Sequence, residues 1–165
     1  MVTLYNAVSE DGFIARKDGS EDFIPDEVWV DFLGLCKMYD SLVMGRKTYE
    51  TIQAYPEEMV KEFESLNIKK IVVTKDEKFN VKSGYIIASS PKEAISNGIN
   101  ILLSSGPTLN ASVLSQGLVD RVMLNVIPEK IGDGIKQFEI EPGLVLESEQ
   151  DMGGGRKLST YKLKK

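Results

Sequence analysis

The chain has 165 residues, 42% of them hydrophobic, a formal net charge of −5, one cysteine and no histidine. Its size and composition fit one globular domain, residues 1–165, with a sizeable core, while the acidic balance argues against general nucleic-acid binding. With no histidine and only Cys36, an ordinary zinc site, a histidine triad and an internal disulfide are excluded, so no metal is expected and chemistry falls to carboxylates, Lys, Tyr, hydroxyls, water or a cofactor.

Val2–Ser9 mixes β-branched and aromatic residues and reads as the first strand. Glu10-Asp11-Gly12 breaks it, Phe13-Ile14-Ala15 is a brief apolar return, and Arg16–Asp22 is polar, either a binding lid or an ordinary surface loop. Pro25 and Asp26 open a helix, with Asp26 as its N-cap and Glu27 complementing the dipole. Val28, Phe32, Leu35 and Tyr39 recur at helical spacing, with Trp29, Leu33 and Cys36 alongside. So broad an apolar face is mainly core, with Trp29 or Phe32 also open to lining a pocket.

Ser41–Ile52 is the stretch around which the rest of the chain is organised. Leu42-Val43-Met44 has the unbroken apolar pattern of a strand buried on both faces, Gly45 ends it, and Lys47-Thr48-Tyr49-Glu50 begins a helix. Such a turn offers free N–H groups at a positive helix end, and Arg46, Lys47 and the Thr48 hydroxyl add partners for a phosphate. Solvated surface charge is the competing reading of the same residues.

Further along, Pro56–Leu66 reads as a helix, Ile68–Thr74 and Gly84–Ala88 as strands, and Lys92–Asn97 as a helix stopped by Gly98. Ile99–Leu103 is a continuous apolar strand, followed by Ser104-Ser105-Gly106-Pro107-Thr108 and a helix over Leu109–Gln116. This repeats the earlier logic of buried strand, glycine turn and helix start. Asp120–Ile127 is a strand, Ile135–Phe138 a short apolar return, and Gly143–Asp151 with Arg156–Leu163 a closing hairpin around three glycines. The alternation predicts an α/β fold: a three-layer α/β/α sandwich whose mostly parallel sheet carries an antiparallel C-terminal hairpin. Ligands of such sheets bind beyond the carboxyl ends of the strands, where both glycine turns lie. The G-x-G-x-x-G and P-loop patterns are both absent. No apolar run approaches a membrane span and the N-terminus lacks a signal pattern, so no membrane association and a cytoplasmic location are expected.

Ala7, Asp11-Gly12-x-Ile14, Val43-Met44-Gly45-Arg46-x-Thr48-Tyr49-Glu50, Gly106-Pro107-Thr108-Leu109 and Ile131-Gly132-Asp133-Gly134 occur in an order and spacing that resembles the dihydrofolate reductase superfamily. Within it, the chain is most similar to the branch containing the riboflavin-pathway reductase domain. The resemblance implies an NADPH-dependent reductase with an eight-stranded, mostly parallel sheet. It implies Ala7 and Ile14 at the nicotinamide, and Gly45, Arg46, Lys47 and Thr48 at the phosphates. Thr74 and Lys75 would flank the adenosine ribose and its 2′-phosphate, with Ser105, Gly106, Pro107 and Thr108 over the pyrophosphate. Arg46, Lys47 and Lys75 supply three cations for this polyanion.

Two departures stand out: Ser104-Ser105 replaces a paired glycine, and no carboxylate aligns cleanly with the family's proton donor. Asp26 and Glu27 lie in that region as candidates, although capping explains Asp26 equally well. Asp11, Arg16, Lys17 and Trp29 are the candidates for substrate contact. The expected substrate is a small pyrimidine or pterin, foremost 5-amino-6-(5-phosphoribosylamino)uracil, reduced by a stand-alone reductase. Dihydrofolate reduction and a non-catalytic NADPH-binding module are the alternatives, and a homodimer is implied by the resemblance.

Overall fold

A computed structural model describes residues 1–96 and 98–164. Ten strands and five helices follow in the order β1 (Val2–Ser9), β2 (Phe13–Ala15), α1 (Glu27–Cys36), β3 (Ser41–Gly45), α2 (Arg46–Gln53), α3 (Glu57–Glu64), β4 (Lys69–Val73) and β5 (Tyr85–Ala88). They continue with α4 (Pro91–Ile95), β6 (Ile101–Leu103), α5 (Pro107–Ser115), β7 (Arg121–Ile127), β8 (Ile135–Lys136), β9 (Leu144–Gly153) and β10 (Arg156–Leu163).

Eight strands form one sheet in the order β5-β4-β3-β6-β1-β7-β10-β9, while β2 and β8 pair separately. All pairs from β5 to β7 are parallel, and β10 is antiparallel to both β7 and β9. Successive side chains of a strand point to opposite faces. Leu42 and Met44 accordingly enter the core on one face, with Tyr5, Val72 and Leu102, while Val43 joins Leu4, Ile71, Ile101 and Leu103 on the other. The first face is covered by Phe32 and Cys36 of α1, Ile52 of α2 and Phe63 of α3. Ala94 of α4 and Val113 of α5 cover the second. Burial on both faces is why these strands are apolar throughout and do not alternate with polar residues.

The architecture is the three-layer α/β/α sandwich with an antiparallel hairpin at one edge. The hairpin turns at Gly154 and Gly155, whose φ values of 62° and 78° are the left-handed pair a tight two-residue turn requires.

Several boundaries differ from expectation. The strand predicted over Ile99–Leu103 starts at Ile101, because Asn100 donates from its backbone to Asp40 and from its side chain to the Met38 carbonyl. The apolar return at 135–138 contributes only Ile135–Lys136 to a strand. The helix predicted over Lys92–Asn97 is Pro91–Ile95, with Asn97 outside the described residues. Asp26 occupies the N-cap position of α1 without capping it. A turn led by Pro25, whose carbonyl accepts from Val28 N–H at 3.0 Å, fills that role and leaves the carboxylate elsewhere. Among the described residues, no helix is long and apolar enough to cross a membrane.

Candidate functional site

Parallel register places the glycine turns side by side. Ser41 pairs with Ile101 and Val43 with Leu103, so two residues further on Gly45 stands level with Ser105. The Gly45 N–H donates to Ser105 Oγ at 3.0 Å, and Thr48 Oγ1 lies 3.5 Å from the same hydroxyl. A side chain at Gly45 would meet Ser105 Oγ at 3.0 Å, whereas open space faces Gly106. Gly45 and Gly106 hold the N-cap positions of α2 and α5, and neither helix start has a side-chain cap. Two sets of helix N–H groups are therefore presented at neighbouring strand ends.

Below these turns lies a cavity of about 340 Å³. Tyr5, Asn6 and Ala7 of β1 and Met44 of β3 form one wall, and Trp29 and Phe32 of α1 face them. Thr48, Ser104, Ser105 and Gly106 from the two turns also line it, as do Ile14, Glu21, Asp26 and Tyr55. Its lining is strongly aromatic: Tyr5 stacks on Phe32 with centroids 5.8 Å apart, and Trp29 meets Tyr55 edge-on at 5.5 Å. Such a wall suits a planar ring. Asn6 Nδ2 and Trp29 Nε1 are buried without a hydrogen-bond partner among the described residues. Unpaired buried donors are costly and usually answered by a ligand or water.

The cavity thus brings together Ala7, Ile14, Thr48, Ser105, Gly106, Asp26 and Trp29 from the sequence-derived set. Arg46, Lys47, Thr74, Lys75, Pro107 and Thr108 lie outside its wall, along or beside the strand ends. The Arg46 guanidinium binds Glu50 at 3.0 Å and Asp76 at 2.9 Å and lies over the Phe79 ring at 4.4 Å. Asp76 is placed by its own turn, donating its N–H to Thr74 Oγ1 at 3.2 Å. The ends of β4, β3 and β6 are in this way linked in a row. Lys47 and Lys75 are exposed.

Four expected residues do not reach the cavity. Asp11 accepts from Ser9 Oγ at 2.6 Å and from the Ile131 and Gly132 N–H groups, so it ties two loops together. Those bonds, led by the Ser9 hydroxyl, hold its carboxyl below the usual range. Arg16 is paired with Asp22, and Lys17 with Asp133. Glu27 lies in a separate groove that it shares with Arg16 and Arg156. Opposite charges close by in the loops draw Arg16 and Lys17 away from the aromatic cleft.

Sequence reasoning did not single out Asn6, Glu21 or Tyr55. Asn6 had a usable signal, a lone amide within the apolar run of β1. Glu21 and Tyr55 lie 34 residues apart, and the Tyr55 hydroxyl donates to Glu21 Oε2 at 2.9 Å. Burial raises the Glu21 carboxyl above its ordinary value, and burial followed by the Glu21 charge raises the Tyr55 phenol.

No family model matches the chain. Among curated proteins, the uncharacterized protein YwjB of Bacillus subtilis (strain 168) is 28% identical over 158 residues, covering 82% of this chain and 80% of its own. Among solved structures, one assigned to riboflavin biosynthesis in Shewanella sp. PV-4 superposes with a TM-score of 0.76 at 22% identity, covering 99% of both chains. The diaminohydroxyphosphoribosylaminopyrimidine deaminase/5-amino-6-(5-phosphoribosylamino)uracil reductase of Thermotoga maritima gives 0.73 at 15% identity, over 99% of this chain and 56% of its own. Dihydrofolate reductase from Enterococcus faecalis, complexed with NADP(H) and RAB-propyl, gives 0.68 at 17% identity, over 100% of this chain and 97% of its own. Full-length agreement of this kind, together with the strand order, shows that the chain has the dihydrofolate reductase-like fold.

Proposed function

We propose that the chain is an NADPH-dependent reductase that transfers hydride to a small heterocycle, foremost 5-amino-6-(5-phosphoribosylamino)uracil. The observation that carries this reading is the meeting of the two uncapped helix starts at Ser105, directly above an aromatic cavity. The donor set fits the cofactor: helix N–H groups, the Thr48 and Ser105 hydroxyls, and Arg46, Lys47 and Lys75 follow the strand ends, as an extended polyanion requires. In this reading Gly45–Thr48 and Ser105–Thr108 hold the phosphates, Thr74 and Lys75 the 2′-phosphate end, and Ala7 and Ile14 the nicotinamide. NADPH, when bound, supplies the hydride. Trp29, Phe32 and Tyr5 hold the heterocycle flat and keep water from it, while the Asn6 amide and the Trp29 N–H suit carbonyl acceptors on its rim.

The same reading has the protein act in the cytoplasm and pair as a homodimer, for which Val145 and Leu146 on edge strand β9 offer exposed apolar surface. Dihydrofolate is the second substrate to test, because Asp26 places a carboxylate on the cavity wall. Titrating the purified protein with NADPH, followed by cofactor fluorescence, is the first experiment. Micromolar binding is expected, and no binding at high micromolar cofactor overturns the proposal. Turnover with the ribosylaminopyrimidine, set against turnover with dihydrofolate, then decides the substrate.

A further inference from the structure

We propose that Glu21 is the acid that protonates the substrate during its reduction and that Tyr55 positions it. This rests on the reductase reading above. Three carboxyls come near the cavity. Glu27 opens to another groove, and Asp26 makes no side-chain hydrogen bond among the described residues, so nothing there fixes its carboxyl. Glu21 is on the cavity border with Oε2 held by the Tyr55 hydroxyl, and the Tyr55 ring is itself locked edge-on against Trp29 at an interplanar angle of 88°. Glu21 is also open to solvent, so a proton given to the cavity can be replaced from there.

The cavity wall contains no Lys or Arg; its titratable neighbours of Glu21 are Tyr5, Asp26 and Tyr55. Without a cation beside it, the carboxyl is raised by burial, and only the Tyr55 hydrogen bond pulls the other way. Both features favour a group that still carries its proton above the ordinary carboxylate range. As the substrate carbon gains the hydride, the electron pair of its double bond moves onto the attached heteroatom, which takes the Glu21 proton. The substrate is reduced by the two electrons that arrive with the hydride, and Glu21 is left as a carboxylate hydrogen-bonded by Tyr55.

Trp29 is the sole tryptophan and touches Tyr55, so its emission reads the pair in the ligand-free protein. A pH titration of that emission is expected to show an inflection above 4.5, absent from Glu21→Gln and moved upward in Tyr55→Phe. With NADPH and 5-amino-6-(5-phosphoribosylamino)uracil, Glu21→Gln is expected to lose about 100-fold in kcat while binding NADPH as the parent does. The parent rate should fall as pH rises through that inflection, because the acid must be protonated, and Glu21→Asp should restore part of the rate. Parent turnover that survives Glu21→Gln with an unchanged pH profile overturns the proposal alone. Failure of the parent to bind NADPH removes the reductase reading and the proposal together.

Discussion

A single hydroxyl joins the two halves of the candidate cofactor site, since Ser105 Oγ accepts the Gly45 N–H and approaches Thr48. Removing it in Ser105→Ala leaves a half-buried donor unmatched, at about 1 kcal/mol. For a domain of this size that lowers Tm by about 2–4 °C, and NADPH affinity should fall several-fold; thermal melts with and without cofactor measure both. Arg46 presents a different case, because Glu50 and Asp76 already occupy its guanidinium. Arg46→Ala should weaken NADPH about tenfold more than NADH, a difference of about 1.4 kcal/mol, whereas Asp76→Asn should tighten NADPH by freeing the guanidinium. Equal losses of both cofactors in Arg46→Ala would place the 2′-phosphate elsewhere. The turn residues were legible in the sequence because glycine, hydroxyl and cation sit together within four positions. For Arg16 and Lys17 residue type was legible but placement was not, since type alone does not show that Asp22 and Asp133 pair with them. Glu21 and Tyr55 were illegible for a related reason: each sits in an irregular segment with no period, and only tertiary structure pairs them.

Among the elements, the closing hairpin is fastened to α1 by an ion pair whose arginine is buried and whose carboxylate is partly exposed. Arg156 Nη1 meets Asp31 at 2.5 Å, and Arg156 Nη2 donates to the Met152 carbonyl at 3.1 Å. Deleting Asp31 leaves the buried Arg156 charge without compensation, so Asp31→Ala should cost about 3 kcal/mol, read by urea unfolding. Replacing both together, as Asp31→Leu with Arg156→Met, should recover much of that loss, because the desolvation cost disappears with the pair. A second fastening is Lys70 of β4, whose Nζ donates to the Leu66 carbonyl at 2.7 Å just past the end of α3. The sequence showed Lys70 only as a charge inside a strand. Its position beneath the helix end, where carbonyls lack partners, explains why a lysine is tolerated there.

Across the whole molecule, the buried phenols and the thiol set the response to alkali. Burial pushes Tyr5 from 10.0 up to about 12 and Cys36 from 9.0 up to about 12, and raises Tyr55 and Tyr85 in the same direction. A group with a raised native pKa contributes stability that is whole below its unfolded value and is lost as pH climbs through the native one. Lys70 works oppositely: burial lowers it, the unfolded chain binds the extra proton, and stability grows as pH rises toward 10.5. With four groups against one, unfolding free energy from urea titrations should decline steadily from about pH 9 to 12. The sandwich itself was largely legible, since strands buried on both faces must read as unbroken apolar runs between helical stretches. Strand order was not, because nothing local says that β6 slots between β3 and β1. That insertion has a consequence for biosynthesis. A nascent polypeptide released before Ile101 holds β3, β4 and β5 as one sheet fragment and leaves β1 without either of its neighbours, β6 and β7, so its open edges are hazards that invite chaperones. Any nucleotide gripped at Ser105 would recognise only the finished interleaving, and its presence should rescue marginal variants by mass action.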